Sequence, residues 1–126
     1  MSRKLLYVEL KTGYGDDGPA WIGLAETSRS GRSVYFNGRC FMRGRGISGN
    51  HFDVETHEEY WISGVKRRGS NRHACGTGPV LIDEDAVPAF LQWKGLDHLD
   101  STGYQVFRAE PTDIDRFTEM MNLSSD

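Results

Sequence analysis

The sequence is short of the residues that mark several protein classes. It has two cysteines in 126 residues, Cys40 and Cys75, too few for a disulfide scaffold. No apolar run approaches the roughly 18 residues that a membrane-spanning helix needs. The stretch Met1 to Leu6 is charged, with neither a long apolar segment nor a cleavage site, so no secretory signal is expected. These absences predict a reduced, cytoplasmic protein with no membrane contact. A length of 126 residues predicts one domain, because a second core would leave each half near the lower limit for unassisted folding.

Glycine and aromatic residues are plentiful. Fifteen Gly, three Trp, five Tyr and six Phe favour a turn-rich, strand-rich fold over a helical bundle. The net charge of −3 hides an asymmetry along the chain. Residues 29–73 hold nine basic and four acidic side chains, whereas residues 74–126 hold three basic and ten acidic ones. A basic middle followed by an acidic end predicts two opposed surfaces, or a tail folded over the basic patch. Solvated surface charge with no partner would give the same pattern.

Strand-forming runs lie at 5–11, 20–25, 34–36, 39–43, 51–55, 58–66, 80–82 and 104–107. Asn37-Gly38 is a strong two-residue hairpin signal. Asp83 stands where a helix N-cap would, with Val87, Phe90 and Leu91 forming an apolar stripe and Pro88 confined to the first turn. Thr112 stands before a last helix that would turn Ile114, Phe117 and Met121 inward. The expected class is α+β, mainly β: a small curved antiparallel sheet or SH3-like or OB-like barrel with two short C-terminal helices. Residues 1–94 would form the β-rich core with the first helix. Residues 95–126 would form an acidic C-terminal extension with a strand and a helix.

Two glycine motifs match the dinucleotide pattern and fail its context. Gly13-x-Gly15-x-x-Gly18 meets Pro19 and a strand where a helix is required, and Asp16 and Asp17 would repel a pyrophosphate. Gly44-x-Gly46-x-x-Gly49 also precedes a strand, but Arg43 and Arg45 flank it, and its backbone N–H groups could converge on an anion. The alternative is a plain connecting loop.

The densest candidate site is Lys66-Arg67-Arg68-Gly69-Ser70-Asn71-Arg72-His73, which follows a strand carrying Tyr60 and Trp61. Arginine forks pair with phosphate, and exposed rings stack on bases. Strand alternation sends Tyr60 and Trp61 to opposite faces, so one ring would face the core. The competing interpretation is a solvated hairpin tip.

Catalytic signals are weak. His73 and Cys75 sit two apart on one loop, a spacing that does not by itself set a base against a thiol. His51, Asp53 and His57 lack a fourth metal ligand and lie partly beyond a turn. Adjacent Glu58 and Glu59 point to opposite faces. No cofactor or metal is indicated. The Asn122-x-Ser124 sequon has no meaning without export.

The runs 5–13, 18–23, 34–38 and 60–66 through 71–73 resemble a group of small uncharacterised bacterial proteins, some labelled 1-deoxy-D-xylulose-5-phosphate synthase. The resemblance covers residues up to about 90 and leaves 96–126 as an addition. It implies a bacterial, cytoplasmic, stand-alone protein and carries no site residues. The label itself does not fit. That synthase resembles larger thiamine-diphosphate enzymes, whose acidic metal-binding motif on an α/β domain has no counterpart here.

Two expectations from different classes follow. The first is a small β-barrel module that binds a polyanion such as RNA or single-stranded DNA. In it Arg43, Arg45, Lys66, Arg67, Arg68 and Arg72 neutralise phosphates, Asn71 and His73 belong to the same binding site, and Tyr60 or Trp61, with Tyr14 or Trp21, stacks on bases. The second is a protein-interaction module of immunity, antitoxin or adaptor type, whose acidic C-terminal segment meets a basic protein partner. A small-molecule enzyme is a distant third.

Overall fold

A computed structural model describes residues 2–11, 18–69 and 78–124. The first glycine motif and its aspartates lie almost entirely outside them. The strands are β1 (Ser2–Leu10), β2 (Ala20–Thr27), β3 (Ser33–Phe36), β4 (Arg39–Arg43), β5 (His51–Asp53), β6 (Glu59–Gly64), β7 (Val80–Asp83) and β8 (Tyr104–Phe107). A 3-10 turn at Glu84–Ala86 leads into helix α1 (Val87–Lys94), and helix α2 (Ile114–Ser124) ends the described chain.

The sheet order is β1-β6-β5-β4-β3-β2, and β1 pairs with β2 to close a six-stranded antiparallel barrel. The expected class, α+β and mainly β with two short helices, is the one observed. The Asn37-Gly38 hairpin forms between β3 and β4, with φ of 52° and 75°, the left-handed values that a two-residue turn of this kind requires.

Two strands depart from the antiparallel expectation. β7 pairs with β2 in parallel, and β8 pairs with β7 in parallel. Along its edge away from β1, β2 is shared: Glu26 and Thr27 pair with β3, whereas Trp21 and Ile22 pair with β7. The sheet therefore forks near Gly23. The Phe36 ring lies where a Gly23 side chain would be, and it meets Phe107 edge-on with centroids 6.5 Å apart. A bare backbone at Gly23 lets two rings plug the fork.

Alternation along the strands separates two cores. Val8, Ala25, Val34, Phe36, Phe41, Tyr60 and Ile62 fill the barrel interior. Outside, Tyr7, Ile22 and Ile82 meet Ala86 and Phe90 beneath α1. A third cluster seats Phe117 of α2 on Tyr35 and Cys40.

Both helix starts differ from the expected caps. Asp83 makes no cap hydrogen bond; its carboxylate accepts the Ala109 N–H and so ties β7 to the segment after β8. Asp113, not Thr112, accepts the Arg116 N–H at the start of α2. The Thr112 hydroxyl instead accepts the Gly38 N–H of the hairpin, 2.8 Å away. In each case a tertiary donor competes successfully for the local capping group. No helix among the described residues is long and apolar enough to cross a membrane.

Candidate nucleic-acid interface

Antiparallel pairing decides which loops share an end of the barrel. The start of β1, the β2–β3 turn, the β4–β5 loop and the end of β6 emerge together. The opposite end carries the Asn37-Gly38 hairpin and the β5–β6 turn. Arg43, Arg45, Lys66, Arg67 and Arg68 therefore belong to one end. Two of these loops are tied directly: the Arg43 N–H donates to the Arg32 carbonyl in the β2–β3 turn.

The same end gains Arg3, Lys4, Arg29 and Arg32, all exposed, which were not singled out from the sequence. The signal was available: turns of an antiparallel meander alternate between ends, so charges on every second turn collect together. Among the described residues, none of Arg3, Lys4, Arg29, Arg32, Arg43, Arg45 or Arg68 has a carboxylate within salt-bridge distance. The ion pairs lie elsewhere: Arg39 with Asp53, Arg108 with Glu84, and Arg116 with Glu55.

The aromatics divide as alternation requires. Tyr60 is 2% exposed inside the barrel, 4.6 Å from the Phe41 centroid, so its ring offers no stacking face. This corrects its candidacy as a stacker. Trp61 is half-buried on the outside, against the cluster beneath α1. Trp93 provides a surface ring beside the basic end. It is 43% exposed, donates from Nε1 to the Val65 carbonyl at 2.8 Å, and has the Arg67 guanidinium 4.2 Å from its centroid. Leu5, Gly64, Val65, Ala89 and Trp93 border an apolar cleft of about 340 Å³ there. Trp93 was read from the sequence only as part of a helix, because nothing local brings it to Arg67.

The β4–β5 loop does converge N–H groups on an anion, but the anion is the chain's own. Ser48 and Gly49 both donate to Glu59 Oε1 at 3.0 Å. The nest is therefore occupied, and what the loop adds to the basic end is Arg43 and Arg45 at its flank. Asn50 fixes the base of this loop by exchanging two 2.8 Å hydrogen bonds with the Ile62 backbone.

Next to it, His51 is 5% exposed, with Nδ1 2.8 Å from Asn50 Oδ1. Burial, with Arg43 nearby, pushes its pKa down to about 4. The native state thus holds a neutral ring, whereas the unfolded chain binds a proton below about pH 6.5. Stability from His51 is full above that pH and falls as pH drops toward 4, by roughly 3 kcal/mol in total. Urea unfolding of wild type and His51→Asn at pH 7 and pH 4.5 should show this excess acid loss in the wild type alone.

Asn71, Arg72 and His73 lie outside the described residues, as do Tyr14 and Cys75. Cys40 is a free, buried thiol whose pKa burial raises to about 11, which makes it a poor nucleophile. Among the described residues no three His, Cys, Asp or Glu side chains converge as a metal site would need. One buried ionic cluster was not foreseen: on the outer face of β1, Glu9 bonds both the Tyr7 hydroxyl and the Lys11 ammonium. Alternate residues of a strand share a face, so the pattern was visible, but its burial was not.

Comparison with protein-family models, curated proteins and solved structures returned no match.

Proposed function

We propose that the barrel is a binding module for a polyanion, RNA or single-stranded DNA, held at its basic end. The observation that carries this is the collection of exposed cations without carboxylate partners on loops that are distant in sequence. Cations gathered at one end without carboxylate partners favour an array of phosphates, whose binding also releases counterions. The Trp93 ring and its apolar cleft lie at the margin of this surface, where an unstacked base can meet an aromatic face.

Helix α2 of the acidic C-terminal segment lies away from the basic end. α2 seats on Tyr35 and Cys40 near the opposite end, and Arg116 pairs there with Glu55. Opposed surfaces of opposite sign suit a strand that must find one face only.

Fluorescence anisotropy of a labelled 20-mer single-stranded RNA tests the proposal. Affinity should fall by on the order of tenfold or more between 50 and 200 mM salt, as for several phosphate contacts. A flat salt response, or no binding at the lower salt, overturns it. The second reading, a protein-interaction module, is favoured by one specific feature, the acidic cleft beside the sheet fork.

A further inference from the structure

Beside the fork in β2 lies a cleft of about 310 Å³ on the outer face of the barrel; it excludes the β2–β3 and β4–β5 loops but shares Arg3 with the basic end. Glu26 and Tyr35, cross-strand partners on β2 and β3, form one wall. Asp83 and Asp85 border it from the end of β7 and the 3-10 turn, and Glu110 borders it from the segment before α2. Arg3 is the one cation among the bordering residues.

Acidic side chains at a surface mean little alone. The informative group is Tyr35. It is 6% exposed and borders the cleft, and its hydroxyl has no hydrogen-bond partner among the described residues. Buried hydroxyls are nearly always paired, because an unmade hydrogen bond there costs about 1–3 kcal/mol. Two neighbouring side chains at the cleft are occupied: Asp83 Oδ1 accepts the Ala109 N–H at 3.2 Å, and Asn37 Oδ1 accepts the Glu110 N–H at 2.9 Å. Tyr35, as buried as Asp83, has no such partner among the described residues.

We infer that this cleft binds an organic cation, a guanidinium or alkylammonium group, with the Tyr35 hydroxyl as an acceptor inside and the carboxylates around it. The carboxylates do not converge as a metal ion requires. They suit a flat, many-donor cation instead, since a guanidinium has five N–H donors spread around its plane. The volume lies at the lower end of small-ligand pockets, enough for one such group on an alkyl stem. The cation has two possible sources, a free small molecule or an arginine side chain from a protein partner, and both present the same chemistry to the cleft.

Isothermal titration of the intact protein with agmatine, and separately with a short neutral peptide containing one arginine, tests this. Saturable binding is expected, weakened about tenfold or more in Asp85→Asn/Glu110→Gln, where both altered residues are exposed and the fold should persist. Tyr35→Phe should weaken binding and leave the melting temperature of the free protein nearly unchanged, because a hydroxyl that faces the cleft is hydrated when the cleft is empty. A purely structural tyrosine would lower the melting temperature and leave binding to the folded protein unchanged. Tighter binding of the peptide assigns the cleft to a protein partner, and tighter binding of agmatine assigns it to a free cation. Absence of binding by both, or binding unchanged in the carboxamide variant, overturns the inference.

Discussion

Phe117→Ala should cost about 3–5 kcal/mol of stability. Phe117 is fully buried and packs on Tyr35 and Cys40, joining the acidic C-terminal segment to the outer wall of β3 and β4. Polar ties reinforce it: Gly38 donates to Thr112, Glu110 donates to Asn37, and Arg116 pairs with Glu55. These exposed and half-exposed contacts are worth little individually, so the apolar anchor dominates. The melting temperature should fall by roughly 10 °C or more. The Cys40 thiol offers a second readout. Sealed beneath Phe117 it should react slowly with a thiol reagent, and the variant should open it. A loss below about 1 kcal/mol with an unchanged thiol rate would mean that α2 is only loosely attached.

The second large effect concerns binding. Arg29→Gln, Arg32→Gln, Arg43→Gln and Arg45→Gln together should lower affinity for single-stranded RNA on the order of 100- to 1,000-fold near 0.1 M salt. Each arginine released from a single strand removes about 0.7 from the logarithmic salt slope, and four such terms compound. The four side chains are exposed, and none holds a carboxylate among the described residues, so the fold should tolerate the change. Unfolding curves that overlay the wild type would show that the loss belongs to the surface.

The strands were legible in the sequence because their signals are local. Asn37-Gly38 specifies its own turn, and the alternation in Phe52-Asp53-Val54-Glu55 marks β5, although pairing stops at Asp53, whose carboxylate accepts the Glu55 N–H and starts the turn. Alternation also predicted that Tyr60 and Trp61 would part. A barrel was one of the two expected forms, but which strands close it, and the fork, were not legible. They depend on β1 meeting both β2 and β6, and on β7 adding in parallel to a strand about sixty residues earlier. Half of the candidate interface was visible, as the runs around 43–45 and 66–68. Arg3, Lys4, Arg29 and Arg32 join it only through strand polarity. Glu59 shows the opposite kind of miss. In the sequence it stood only as one of two adjacent glutamates on opposite faces, yet ten residues along the chain it fills the nest that flanking arginines made attractive for a foreign anion.

The most direct test of the central claim compares two variants of equal net charge, Arg29→Gln/Arg45→Gln at the basic end and Arg108→Gln/Arg116→Gln away from it. Both remove two exposed cations, so a response to overall charge alone would treat them alike. The salt dependence of RNA affinity, measured by anisotropy across a series of salt concentrations, separates them. A binding site at the basic end predicts that the logarithmic slope falls by about 1.4 in the first variant and stays at the wild-type value in the second. Equal slopes in the two variants would contradict it.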